Sequence, residues 1–117
     1  ELEGLDNDKL NLTIKNLRFA NKSIKYFVEK NLNDNSTISN INKLVILNKN
    51  FFLQTEEIVF RSLTEVLKSV GKKYYPVRGK KIEKLIYQIK NDNSLMTTLG
   101  NCVIKKVNNS VIVSKER

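Results

Sequence analysis

Lys72, Lys73, Arg78, Lys80, Lys81 and Lys84 fall between Gly71 and Lys90, a stretch in which Glu83 is the one acid. Counting Lys90, the segment has a surplus of six positive charges in a chain of formal net charge +9. Crowded ammonium and guanidinium groups attract polyanions, and the usual polyanion in a cell is nucleic acid. Against a phosphate backbone such side chains position the ligand and read no base. Tyr74 and Tyr75 stand inside the cluster, just before Pro76, and either ring can stack on an unpaired base. Two alternatives stay open. Tyr75-Pro76 can pack down as a hinge between two helices beneath a solvated basic face. Lys80 and Lys84 can also pair with Glu83 along a helix.

Other chemistries are excluded by composition. The chain has no histidine and one cysteine, Cys102, so it offers no imidazole base, no Ser-His or Cys-His pair and no zinc ligand set. Neither glycine-rich phosphate-binding motif occurs. No residue is therefore nominated as catalytic and none as a metal ligand. Cys102 alternates with Ile104 and reads as a small buried hydrophobe; a single cysteine makes no internal disulfide and suits a reducing compartment. Arg61 lies beside apolar positions, where it either anchors a carboxylate or loop carbonyl or rests on the surface with its stem over the core. No apolar run approaches the ~20 residues of a membrane span. The opening Glu-Leu-Glu-Gly has no signal-peptide features, so a cytoplasmic location is expected. A chain that begins this way reads as a piece of a longer protein.

The elements that hold these residues follow from periodicity. At 117 residues, 40% hydrophobic and 28% charged, the chain suits one domain with its own core. Leu10, Ile14, Leu17, Ile24, Phe27 and Val28 recur at helical spacing and predict a first helix from about residue 7 to 31, capped by Asp6 and broken by Asn31-Leu-Asn-Asp-Asn-Ser. Thr37 to Leu47 predicts a β-hairpin turning at Asn40 to Lys43, followed by Phe51 and Phe52 as an apolar plug of the core. Thr55 with Glu56 and Glu57 predicts the start of a second helix, with Val59, Leu63, Val66, Leu67 and Val70 as its buried face. Gly71 is expected just after that helix's C-cap. Ile82, Leu85, Ile86 and Ile89 mark a third helix, ending near Asn91. Thr97 to Lys106 and Ser110 to Lys115 flank an Asn108-Asn109 turn, a register that buries Cys102, Ile104, Val111 and Val113 on one face. The expectation is an α+β fold, mainly α-helical with about three helices and two small β-hairpins. It divides into a helix plus hairpin over 1–54 and a helix-turn-helix plus terminal hairpin over 55–117.

Taken in order, Phe60-Arg61-Ser-Leu-Thr-Glu-Val-Leu, Val70-Gly71, Tyr74-Tyr75-Pro76-Val-Arg78, Thr98-Leu99-Gly100-Asn101-Cys102 and Val111-Ile-Val-Ser-Lys115-Glu116 resemble one family. They are similar to the region after the catalytic domain in bacterial tRNA(Ile)-lysidine synthases (MesJ-type, PP-loop ATPases). The likeness covers about residues 55–117 and is one of helix layout alone over 1–54. Two positions depart from the family's pattern. Asn101 replaces a second glycine, in a turn that asparagine tolerates. Lys115 replaces an arginine, keeping the charge and losing the planar fork.

The resemblance implies an ATP-dependent ligase that adenylates C2 of the wobble cytidine of the CAU-anticodon isoleucine tRNA. Lysine then displaces AMP, and decoding changes from AUG to AUA. ATP, with magnesium, and lysine would belong to an amino-terminal catalytic domain bearing Ser-Gly-Gly-x-Asp-Ser, a motif this sequence lacks; no cofactor is expected on the segment itself. The expected role is tRNA docking through Lys72, Lys73, Arg78, Lys80, Lys81 and Lys84. Arg61, Gly71 and Pro76 keep the family's residue types as fold or tRNA anchors. The expected partners are tRNA(Ile) and the chain's own catalytic domain, with no membrane. The alternative is a structural or oligomerisation module, such as a homodimer, using Phe51-Phe52 or the first helix as its contact surface.

Overall fold

The computed structural model describes residues 21–39, 44–72 and 77–116. Within them a helix covers 21–35 (α1) and runs past the break expected at Asn31. Asparagine favours turns because its amide competes for backbone groups. Here that amide is engaged elsewhere. Asn31 is buried, and its Nδ2 donates to the Phe51 carbonyl at 3.3 Å and to Ser62 Oγ at 3.1 Å. Asn35 Nδ2 in turn donates to Asn31 Oδ1 at 2.8 Å. A tertiary polar knot thus outweighs local propensity. Of the expected apolar side, Val28 is buried, Ile24 is half-buried and Phe27 is 50% exposed beside Tyr26. The part of this helix expected over 7–20 and the turn at 40–43 lie outside the described residues.

Strands β1 (Ser36–Ser39) and β2 (Leu44–Leu47) pair antiparallel, as the hairpin reading expects. A 3-10 turn over Lys49–Leu53 follows, capped by Asn48 Oδ1, which accepts from the Phe51 amide at 3.1 Å. Phe51 and Phe52 are both buried, edge to face at 4.9 Å between ring centroids. They fill the core.

Helix α2 (Glu56–Gly71) begins after Thr55, whose side chain makes no cap bond. Its first turn has Glu56 and Glu57, where the macrodipole favours acids. Ile58, Val59, Leu63, Val66 and Leu67 are buried, and Val70 is half-buried. Gly71 is not the residue after the cap. It is the last helical residue, and Lys72 takes the left-handed cap at φ 49°. The glycine serves a close approach instead: a Cβ there would lie 2.0 Å from the Gly100 carbonyl oxygen and 3.1 Å from Cys102 Sγ.

Helix α3 (Gly79–Asn91) buries Ile82, Leu85 and Ile89. The remaining strands are β3 (Leu95–Leu99), β4 (Cys102–Val107) and β5 (Ser110–Lys115). The single strand expected from Thr97 to Lys106 is two, divided by Gly100 at φ 60° and Asn101 at φ 64°. Two consecutive positive φ values are what a tight hairpin turn requires. Asn108, at φ 57°, opens the β4–β5 turn at the expected place.

The α+β class stands, and its strand content is more unified than two hairpins. β2 pairs with β5, which joins everything into one antiparallel sheet of order β1-β2-β5-β4-β3. Cys102, Ile104, Val111 and Val113 share a buried face with Val45 and Leu47, beneath α2 and α3. Burial raises the Cys102 thiol to about 11, as expected for a group whose charged form is poorly solvated. The other sheet face includes Ile46, Met96 and Val107, all exposed.

Candidate nucleic-acid interface

The basic segment spans the end of α2 and the start of α3. Lys72 closes α2, its backbone N–H donating to the Lys68 carbonyl at 3.1 Å. Residues 73–76, which include Lys73, Tyr74, Tyr75 and Pro76, lie outside the described residues. Val77 is half-buried, packed against the core and under the β3–β4 turn, where it leaves no room for a Cβ at Gly100. Arg78 then takes the N-cap position of α3 in extended conformation, without a side-chain capping bond.

The placement of α3 sets the charge. Its apolar residues face the core, which turns Lys80, Lys81 and Lys84 to solvent. No acid occupies its first turn. A helix N-terminus is already electropositive from its unpaired amides, so Arg78, Lys80 and Lys81 add like charge to like. None of Lys72, Arg78, Lys80, Lys81 or Lys84 forms an ion pair among the described residues, and Glu83 does not pair with its lysine neighbours there. A phosphate placed at this end would relieve the mutual repulsion. The structure therefore brings Arg78, Lys80, Lys81 and Lys84 together at one helix end, with Lys72 on the end of α2.

Arg61 stands apart. It is half-exposed, and its Nε donates to Glu57 Oε1 at 2.5 Å, one turn earlier on α2. Eleven positions separate it from Lys72, about 16 Å at ~1.5 Å per helical residue. It borders a groove of about 690 Å³ between α1 and α2, with Val28, Leu32 and Phe60 as apolar lining.

One residue escaped the sequence reading. Tyr87 is 68% exposed and lies at i+7 from Lys80 and i+3 from Lys84, so the three form one line along α3. Its ring is thus exposed on the same line of α3 as two of the lysines. The helical spacing itself was the available signal. On Tyr87's other flank, Glu56, Glu57 and Glu83 line a cleft of about 540 Å³ with Lys90 as its one cation, a net acidic border unfavourable to phosphates.

Among the described residues, no group of three His, Cys, Asp or Glu side chains is placed to hold a metal ion. No helix there is long and apolar enough to cross a membrane.

Comparison with known proteins gives one informative similarity. The chain is 23% identical over 110 residues to a tRNA(Ile)-lysidine synthase of Wolbachia sp. subsp. Brugia malayi (strain TRS). The alignment takes in 93% of this chain and 26% of that protein, so the chain spans about a quarter of its relative's length. No family model matches, and no solved structure matches significantly.

Proposed function

We propose that this chain is the tRNA-docking portion of a tRNA(Ile)-lysidine synthase. Its exposed cations hold the tRNA while a separate catalytic domain uses ATP, with magnesium, to join lysine to C2 of the wobble cytidine. The observation that carries the reading is the unpaired cluster Arg78, Lys80, Lys81 and Lys84 at the electropositive end of α3. The similarity to a tRNA-modifying ligase supports the choice of polyanion. Lys73, Pro76 and Arg61 enter as further contacts or anchors, and Gly71 as the residue that lets α2 meet the β3–β4 turn.

In this mechanism the lysines displace counterions from the phosphate backbone, giving affinity that falls with salt, and they set register without reading bases. Tyr87 adds sequence-tolerant stacking. The fragment itself transfers no group.

The test is binding of the chain to isoleucine tRNA and to an unrelated duplex across a salt series. Tighter binding to the tRNA that persists at moderate salt is expected. Equal, steeply salt-sensitive binding would reduce the role to generic charge attraction, and no binding to either would overturn docking by this chain.

A second reading, a structural or assembly module, is favoured by the apolar side chains on the outer sheet face, where Met96 is 74% and Ile46 37% exposed. Sedimentation separates the two: a tight dimer insensitive to salt supports assembly, and a monomer opposes it.

A further inference from the structure

A second group of cations converges at the opposite end of α3. Lys49, Lys90 and Lys106, from the 3-10 turn, the last turn of α3 and β4, line a cleft of about 490 Å³ with no acid in its lining. Three side-chain amides, Gln54, Asn93 and Asn109, share its rim. Its floor is apolar, formed by Phe52, Ile89 and Val111, and Leu53 stands 66% exposed beside it.

A helix C-terminus ordinarily repels anions, because its last carbonyls are unpaired. Here Lys106 Nζ donates to the Ile89 carbonyl at 2.5 Å and to the Asp92 carbonyl at 2.8 Å. Those bonds cover the electronegative end of α3 with a cation. Lys49 and Lys90 are exposed and make no ion pair among the described residues. Lys90 also borders the cleft that Glu56, Glu57 and Glu83 line, so Lys49 has the charge least offset within the chain. Gln54 Nε2 already donates to the Asn50 carbonyl at 3.2 Å, but the cations and the amides of Asn93 and Asn109 around an apolar floor match a nucleotide unit: an anionic phosphate joined to a flat, weakly polar base.

We propose that this cleft seats a backbone phosphate of the same RNA that meets the other end of α3. The inference rests on the docking reading above and extends it to a two-point interface. The thirteen residues of α3 at ~1.5 Å each set the two clusters about 20 Å apart. A mononucleotide cannot bridge them. A folded RNA can.

The experiment measures binding of the chain to a tRNA transcript from low to moderate salt, using wild type, Lys49→Ala with Lys90→Ala, and Lys80→Ala with Lys81→Ala. Lys106 is left intact because it caps α3. Loss of one or two phosphate contacts lowers the slope of log K against log salt by about 0.7 to 1.8. A drop of that size in the Lys49/Lys90 variant, restored by arginine at both positions, supports the second contact. An unchanged slope in that variant, with a lowered slope in Lys80/Lys81, overturns the cleft and leaves docking standing. Absence of wild-type binding overturns both. Thermal melting of the Lys49/Lys90 variant checks that its fold is intact, and the arginine pair separates charge from folding should it not be.

Discussion

Asn31 illustrates how a single side chain decides where an element ends. Its amide donates to one helix and to the turn before it, and its carbonyl oxygen accepts from Asn35. Replacing it with alanine leaves the Phe51 carbonyl and Ser62 Oγ without that donor in the core. We expect Asn31→Ala to lose about 1 to 3 kcal/mol of stability in chemical denaturation, the usual cost of stranded buried polar groups. Gly71→Ala should be worse than a glycine-to-alanine change in an ordinary helix, which is mildly favourable, because the added methyl meets backbone at 2.0 Å; urea titration would register the loss. Cys102 gives a pH prediction with a definite sign. Its proton is held more tightly in the fold, with a value of about 11 against 9.0. The stability it contributes is therefore complete below pH 9.0 and lost as pH rises through about 11. Denaturant midpoints taken from pH 8 to 11 should fall more steeply for wild type than for Cys102→Ala. Equal slopes would refute the thiol's part.

Helix α3 is shaped by what meets its two ends. At its carboxyl end Lys106 replaces the missing backbone donors, a role usually given to a local glycine turn. Lys106→Met keeps the aliphatic stem and removes the ammonium. We expect it to cost about 1 to 2 kcal/mol and to reduce amide protection selectively in the last turn of α3, observable by hydrogen exchange. At the amino end the exposed lysines contribute little to the fold, so their alanine variants should melt as wild type does. Tyr87→Ala is expected to weaken tRNA binding by about 1 to 3 kcal/mol if its ring stacks, with Tyr87→Phe unaffected. Much of this was readable in advance. The apolar spacing of α2 and α3 located both helices, and alternation in β4 and β5 gave their buried face correctly, because both periods are properties of a local stretch. The candidate lysines were legible for the same reason. Lys106 as a cap was not, nor Asn31 as a knot, nor the basic cleft at the far end of α3, since each depends on residues distant in sequence that meet only in the fold. The division of β3 from β4 had a local cue in Gly100-Asn101, which the longer alternating pattern around it concealed.

The molecule as a whole is held together by one ladder that no local pattern announces. β2 lies against β5, Ile46 opposite Ile112 and Val45 opposite Val113, so the early hairpin and the late one form a single sheet under α2 and α3. Cutting out residues 36–47 should therefore do more than remove a peripheral hairpin. It strips the partner from β5 and exposes its unpaired backbone edge, which invites pairing with another molecule. We expect that deletion to sediment as aggregates, whereas alanine changes confined to the basic segment leave the sedimentation of the chain unchanged.

The same ladder dictates an order of events during synthesis. β5 is the last of the described strands to leave the ribosome, yet it occupies the middle of the sheet. Until it emerges, the edges of β2 and β4 that it pairs with stay bare, and helices α2 and α3 have only part of a floor to rest on. Closure is thus a late, long-range event, of the kind that is slow because distant segments must find each other before any contact rewards them. A nascent chain stalled before Ser110 would carry every lysine of the proposed interface and still have no finished surface on which to present them.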